Sequence, residues 1–421
     1  MVAVTLPAQG VAPWYSYAGL LHQMARPSTT GVLRKNGSNI EGWCNDPAHG
    51  RVSQSTDQET AWQGLYDHIS NHASGTGHKG GELLMNVDDF PIDTQLIMRP
   101  TTVGSADGSD TVWPVRVRGT GLLPRAAALS GIPGGTRIRW NSGSPPGGSG
   151  ANQGAMIGGA DAHGCEVMEL TIDGNSIARR CGASGARAFR WYRVMFRKPY
   201  PQGFAAAGDT APTSNDQTIG IGCLITNGAD GSSDRYVQQR CIDCDFIGDS
   251  GGIGFVNKDF FAGSSSTDGR LYDAQMNGMN DGDVYIGEGG WGVFRGHWTM
   301  NNGGGDRKWG LWAAGGFFHM GGVYIDIVGL GPNMKFTNSS FEVEGGFMIS
   351  NGKVSGNTYP IVDVGGNDGS LTFLWGGSDV ASYVVAGTTG AQLIGQIKGP
   401  TGSYGSGVKQ QTWSDLSVRT W

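Results

Sequence analysis

The chain has 421 residues, a formal net charge of −6, 38% hydrophobic and 16% charged residues, and 74 glycines. The acidic balance gives no reason to expect nucleic acid as the main partner. No apolar run is long enough to span a membrane, and the glycines follow no Gly-X-Y period, which excludes collagen. Thirteen Trp, twelve Tyr and fifteen Phe exclude simple disorder. Such a chain reads as many short strands joined by many turns.

Residues 1–50 scatter Pro, Gly, Ser and Asn among Trp14, Tyr15, Tyr17, Leu20, Leu21 and Trp43, as expected of an arm or docking segment that buries its aromatics on a partner. The opening MVAVTLPAQGVAPWYSY lacks a basic region followed by an apolar run, so it does not read as a secretory signal. A protein working outside a cell without such a signal would leave by lysis. The body is expected over 51–400, and a tail over 401–421.

Residues 56–73 predict the one convincing helix. Thr56-Asp57-Gln58-Glu59 matches a capping box, and Trp62, Leu65, Tyr66 and Ile69 fall on one apolar face before Gly75 and Gly77 end the pattern. Strand-like segments then follow at 82–87, 92–98 and 115–121. They continue as TRIRW (136–140), CEVMELTIDGN (165–175), IGIGCLITNG (219–228), RCIDCDFIG (240–248), GGIGFVN (251–257), DVYIG (283–287), VYIDIVG (323–329), MKFTNSSFEVEGG (334–346) and IVDVGG (361–366). No second helix of that quality interrupts them, which argues against alternating βαβ folds. Repeated strand–turn units point to a solenoid whose coils bury their edges on one another, with the helix covering its open end. A β-sandwich is the rival, but it predicts more even spacing.

The order of elements over 56–121 resembles the opening of pectate-lyase-like β-helix proteins, including phage tail spikes. A capped helix (Thr56 to Ser74) and a Gly-rich loop (Gly75 to Gly80) come first. The strand pair Gly81-Glu82-Leu83-Leu84-Met85 and Phe90 to Pro100 follows, then Val115-Arg116-Val117-Arg118-Gly119-Thr120-Gly121. The resemblance implies an all-β fold: a single-stranded right-handed parallel β-helix with a short N-terminal capping helix. It implies a homotrimer on a phage tail, acting at the bacterial surface on a host envelope polysaccharide and joined to other tail proteins through the arm. It supplies no catalytic residues.

Several motifs have bland readings. Gly248-Asp249-Ser250-Gly251-Gly252, with Asp161-Ala162-His163 upstream, copies a serine-protease signature, but Ile253 and Gly164 break the surrounding pattern, and a Gly/Asp/Ser cluster between strands reads as a turn. Gly75-Thr76-Gly77-His78-Lys79-Gly80 closes a helix instead of opening one, so it is not a dinucleotide loop. The six cysteines (44, 165, 181, 223, 241, 244) include one C-x-x-C without a second pair or nearby histidines, so they read as buried packing. No metal or cofactor is expected.

Two stretches carry candidate chemistry. The first holds Asp273, Asp281, Asp283 and Glu288. Asp281, Asp283 and Glu288 are the candidate catalytic acids, because glycoside cleavage needs two carboxylates across the bond. Asn280 to Asp283 reads equally as a plain or calcium-binding turn. Trp291, Trp298, Trp309 and Trp312 follow as candidate sugar platforms, with packing as the alternative. The second stretch, 179–198, carries seven basic residues and no acid. There Arg190, Trp191 and Arg193 are candidates to grip an anionic glycan, against the alternative of ion pairs on a solvated strand face. The expected function is recognition of a host glycan, or its depolymerisation on the same fold.

Overall fold

The computed structural model describes residues 30–45, 50–72, 80–101, 112–122, 135–148, 152–201, 219–226, 239–248, 251–258, 267–279, 281–287, 290–295, 300–301, 309–315, 317–326, 332, 334–349, 362–363, 369–376, 385–386 and 393–398; for 267–268, 290–295, 300–301, 317, 323–326, 345–349, 362, 369–376, 385–386 and 393–398 it describes the backbone alone. The described chain is mainly β, in two long sheets. From Glu166–Asp173 onward it alternates between them. Arg180–Gly185, Ile221–Ile225, Ile253–Asn257, Gly282–Ile286 and Leu311–Ala314 join the second sheet, and the strands between join the first. Within each sheet these strands pair in parallel with their counterpart one circuit away.

The inward residues of both sheets make one core. Val167, Leu170, Trp191, Phe196, Cys241 and Phe246 come from the first sheet, and Cys181, Cys223, Phe255, Val284 and Leu311 from the second. Register stacks like on like: Phe196 lies over Phe246, with ring centroids 5.1 Å apart, and Trp191 meets Phe196 edge-on at 5.3 Å. Stacked inward columns of large apolar groups bury most of what each strand has to offer, which an isolated strand–turn unit cannot do.

Within the described residues the predicted strands form, although bulges and kinks divide several of them; 227–228, 327–329, 361 and 364–366 lie outside the described residues. The boundary expected at residue 50 is corrected. Thr30–Asn36 pairs in parallel with Gly81–Asn86, and it also starts an antiparallel meander with Asn39–Cys44 and Arg51–Ser55. Residues 30–45 therefore belong to the first sheet, because pairing satisfies the backbone donors and acceptors of this segment. Residues 1–29 and 401–421 lie outside the described residues.

The helix spans Gln58–Ser70. Its cap differs from expectation: Asp57, not Thr56, is the N-cap, with its carboxylate accepting from the Thr60 N–H at 3.2 Å. Glu59 does not close a capping box. It accepts instead from the backbone N–H groups of Asp93 and of Thr94 (2.9 Å), tying the helix to the next turn. Asn71 ends the helix in the left-handed conformation at φ 65, which Asn tolerates better than most residues. Trp62, Leu65, Tyr66 and Ile69 are all fully buried in the shared core. Gly31 and Gly42 let the first two strands approach Leu65 closely, since a Cβ at either would collide with that side chain.

Candidate functional site

Alternation along the strands places a set of polar residues on the outer face of the first sheet. One column runs Glu82, Arg116, Glu166, Arg190, Arg240, Arg270 across six successive strands. Over the first four the sign alternates and the groups pair. Arg116 Nε lies 2.7 Å from Glu166 Oε2, and Arg190 Nη1 lies 3.0 Å from Glu166 Oε1. At Arg240 the alternation stops, so three arginines follow one another. Parallel neighbours are only ~4.8 Å apart, and like charges stacked at that spacing repel unless an anion sits among them. Arg240 makes no ion pair among the described residues, and its Nε is buried without an acceptor.

Beside this column runs Met168, Tyr192, Ile242, Tyr272, two residues further along each strand. Both tyrosines are partly exposed, so aromatic and apolar surface lies next to the arginines. One residue beyond, the backbone of each strand bends through a left-handed residue: Glu169, Arg193, Asp243 and Asp273, with φ of 54, 50, 52 and 51. This bend turns the four side chains out at one corner. Arg193 bridges Glu169 (3.3 Å) and Asp243 (3.5 Å), and Arg118 holds Glu169 at 2.7 Å. Asp243 and Asp273 are both exposed, and the Asp243 N–H donates to the Tyr272 carbonyl at 2.9 Å. The two carboxylates thus occupy equivalent places on adjacent strands.

The sequence-predicted residues divide. Arg190 and Arg193 lie on this face, each with a side chain 47% exposed and each already ion-paired within the chain. Trp191 does not join them. It points inward with no exposed surface, its Nε1 donating to Ser184 Oγ at 3.2 Å. Gly182 makes room for its ring, since a Cβ there would lie 2.7 Å from the indole. A strand neighbour of an outward arginine must face the other way, and this overturns Trp191 as a residue that grips an anionic glycan beside Arg190 and Arg193.

Trp309 and Trp312 are likewise 4% and 5% exposed. They pack edge-on to each other at 5.3 Å, in a second cluster with Leu224, Val256 and Tyr285 on the second sheet. Lys335 Nζ covers the Trp312 ring at 4.2 Å. Their faces are closed by protein, so the packing alternative holds for both. Trp291 is placed only by its backbone, paired with Asp268 and Phe317. Trp298 and Glu288 lie outside the described residues.

The acid pair is also corrected. Asp281 precedes its strand, is 8% exposed, and accepts the Gly252 N–H at 2.8 Å. Asp283 has no exposed surface. The N–H groups of Asp283 and Val284 both reach the Gly310 carbonyl, at 3.1 and 3.0 Å, which marks a bulge. The bulge breaks the simple alternation that would have put Asp281 and Asp283 on one open face. A sugar bond cannot approach a carboxylate without exposed surface.

Of the other motifs, the cysteines settle as packing, and Gly75 to Lys79 lie outside the described residues. All six cysteines are buried and free. Burial pushes the Cys241 and Cys244 thiols well above their usual range. His163 Nδ1 accepts the Arg187 N–H at 2.8 Å, and Asp249 and Ser250 lie outside the described residues. Among the described residues no helix is long and apolar enough to cross a membrane.

The residues sequence reasoning missed are Arg240, Arg270, Tyr192, Tyr272 and Asp243; Asp273 was noted among the acids of its stretch but not assigned to the chemistry. Their signal is a short repeat, Arg190-Trp-Tyr-Arg193, Arg240-Cys-Ile-Asp243 and Arg270-Leu-Tyr-Asp273, hidden by connections of unequal length.

No family model matches the chain, and none of the curated proteins matches it. Solved structures do. A mutant DFA-IIIase from Arthrobacter chlorophenolicus A6, in complex with DFA-III, is 11% identical with a TM-score of 0.51, covering 82% of this chain and 81% of that one. DFA-IIIase from the same organism in complex with GF2 gives 11% identity and a TM-score of 0.47, over 82% and 84% of the two chains. The A-module of an Azotobacter vinelandii mannuronan C-5 epimerase gives 12% identity and a TM-score of 0.28, over 87% and 96%. At these identities the likeness to the first is one of fold, and the other two are too distant to build on.

Proposed function

We propose that this chain is a single-stranded right-handed parallel β-helix that binds and depolymerises an acidic polysaccharide along the outer face of its first sheet. The observation that carries the reading is the break in charge alternation at Arg240, which leaves Arg190, Arg240 and Arg270 in one column beside Tyr192 and Tyr272. Guanidiniums favour carboxylate or sulfate groups, and aromatic faces favour the apolar faces of sugar rings. The repeat along the sheet suits a polymer lying across several strands. The first structural neighbour was solved with DFA-III bound and belongs to a carbohydrate-processing class, which agrees with a glycan ligand.

Asp243 and Asp273 are the carboxylates we assign to cleavage. Both are exposed at the same corner, and a strand spacing of ~4.8 Å is near the ~5–5.5 Å separation used by retaining glycosidases. In that role one acts as nucleophile and the other as acid and then base.

The test is incubation of the purified protein with acidic and neutral polysaccharides, following polymer size and new reducing ends. Shortening of an acidic polymer, abolished in Asp243→Asn or Asp273→Asn, supports the reading. Retention on the polymer without shortening supports the receptor-recognition reading instead. That reading rests on the resemblance of residues 56–121 to tail spikes and carries the phage-tail location and homotrimer with it. Neither retention nor shortening on any acidic polymer sinks the proposal.

A further inference from the structure

The outer columns of the first sheet change character once more beyond Arg270. By register the arginine column runs on through Val293 and His319 to Glu342, and the tyrosine column through Arg295 and Gly321 to Glu344. Both columns therefore reach carboxylates on one strand, Ser340–Ile349. The cations come before them. Arg190, Arg240, Arg270 and Arg295 hold places on four successive strands, a tract of roughly 14 Å at ~4.8 Å per strand. Glu344 lies two strands beyond Arg295 in the same column.

The two glutamates face solvent, with side chains 41% and 64% exposed. Their ion partner among the described residues is His319, with Nδ1 3.9 Å from Glu342 Oε2 and Nε2 3.8 Å from Glu344 Oε2, and it carries charge only when protonated. The acids at the other end of the arginine tract differ. Arg116 and Arg190 hold Glu166, and Arg118 and Arg193 hold Glu169, so both are neutralised. The path toward Glu344 is sterically open. Gly321 has no side chain, and Gly322 is exposed at φ 62, with nothing within 4 Å of where a Cβ would stand. Charge, not bulk, thus decides what can lie there. An anionic group carried past His319 meets carboxylates in place of guanidiniums and is repelled. A neutral sugar is not repelled, and its hydroxyls can donate to the same oxygens.

We propose that Glu342 and Glu344 set the substrate class of the first-sheet face: a mixed polysaccharide in which an acidic run about as long as the arginine tract is followed by neutral sugars, not a continuous polyanion. This rests on the proposed function, since it takes the arginine and tyrosine columns as the floor of the glycan site.

The experiment compares the full chain with the double variant Glu342→Gln/Glu344→Gln. A second double variant, Asp88→Asn/Asp93→Asn, removes two exposed carboxylates away from this face and controls for net charge. Circular dichroism confirms that each variant folds. Affinity is measured at low and high salt for polygalacturonate, a continuous polyanion, and for gellan, whose repeat sets a single glucuronate among neutral sugars. The proposal is supported if the wild type binds gellan more tightly than polygalacturonate per uronate, and if the glutamate variant gains roughly fivefold on polygalacturonate at low salt and nothing on gellan. That gain should disappear at high salt. Polygalacturonate bound as tightly as gellan by the wild type, or a gain no larger than that of the control variant, overturns the substrate class and leaves the acidic-glycan site standing. Binding of neither polymer removes the proposed function and this inference with it.

Discussion

Arg240 and Arg270 are register partners on adjacent parallel strands, so their side chains leave the same face of the first sheet one strand spacing apart. Three strands earlier in the same column, Arg116 pairs with Glu166. The column changes from alternating to like charge at Arg240. Replacing either arginine by Gln removes one guanidinium contact to an anionic polymer. We expect affinity for an acidic polysaccharide to fall roughly five- to tenfold per substitution, with a shallower salt dependence and unchanged binding of neutral glycans. Affinity electrophoresis at two ionic strengths measures this. Equal losses for neutral and acidic polymers would show that the arginines do not read charge.

Trp191 belongs to the core, between Phe189 (5.1 Å) and Phe196 (5.3 Å). Trp191→Ala is expected to cost about 3–5 kcal/mol of stability and to lower the thermal midpoint. Any fold that survives should still bind glycan, because the indole does not reach the surface. Normal stability with lost binding would reverse this assignment.

Asp281 is a tie between circuits through its hydrogen bond to the buried Gly252 N–H. Asp281→Ala leaves that donor unsatisfied and is expected to destabilise by about 1–3 kcal/mol. Glycan cleavage, assayed below the midpoint of the variant, should proceed at the wild-type rate. A variant with wild-type stability that no longer cleaves would return Asp281 to the chemistry.

Glu41 anchors the N-terminal meander. It is 2% exposed and accepts from Trp43 Nε1 (2.9 Å), Asn36 Nδ2 (3.0 Å), Arg34 Nη2 (3.2 Å) and Arg51 Nη1 (3.3 Å). These donors, the Trp43 and Asn36 bonds first, lower its pKa from 4.5 to about 2. Because the folded value lies below the unfolded one, the stabilisation is fully present above pH 4.5 and is lost as pH falls toward 2. Thermal midpoints of the wild type should therefore drop across that window more steeply than those of Glu41→Gln, and the two should converge near its lower end. Parallel curves would show that Glu41 does not drive the acid response.

Much of the architecture was legible along the chain. Period-two segments such as Thr136–Trp140 and Glu166–Asp173 announced strands, and the apolar face from Trp62 to Ile69 announced the helix. These signals are local: side-chain alternation and capping depend on a few neighbouring residues. The cysteine spacing likewise foretold buried packing. Arg190 and Arg193 were legible as cations in an acid-free stretch.

What the tertiary structure alone decided was which residues share a face and which strands are neighbours. Arg190, Arg240 and Arg270 are far apart in sequence, and the connections between them differ in length, so only the pairing of the sheet aligns them. The bulge at Asp283 and the left-handed corner at Asp243 and Asp273 decided which acids are buried and which exposed. The tryptophans show the same division. The sequence marks Trp191, Trp309 and Trp312 as large and amphipathic, but their burial is set by neighbours such as Ser184, Lys335 and Tyr285 that come from other strands. Local chemistry specifies the strand, whereas lateral register, set by long-range backbone pairing and inward packing, specifies the surface.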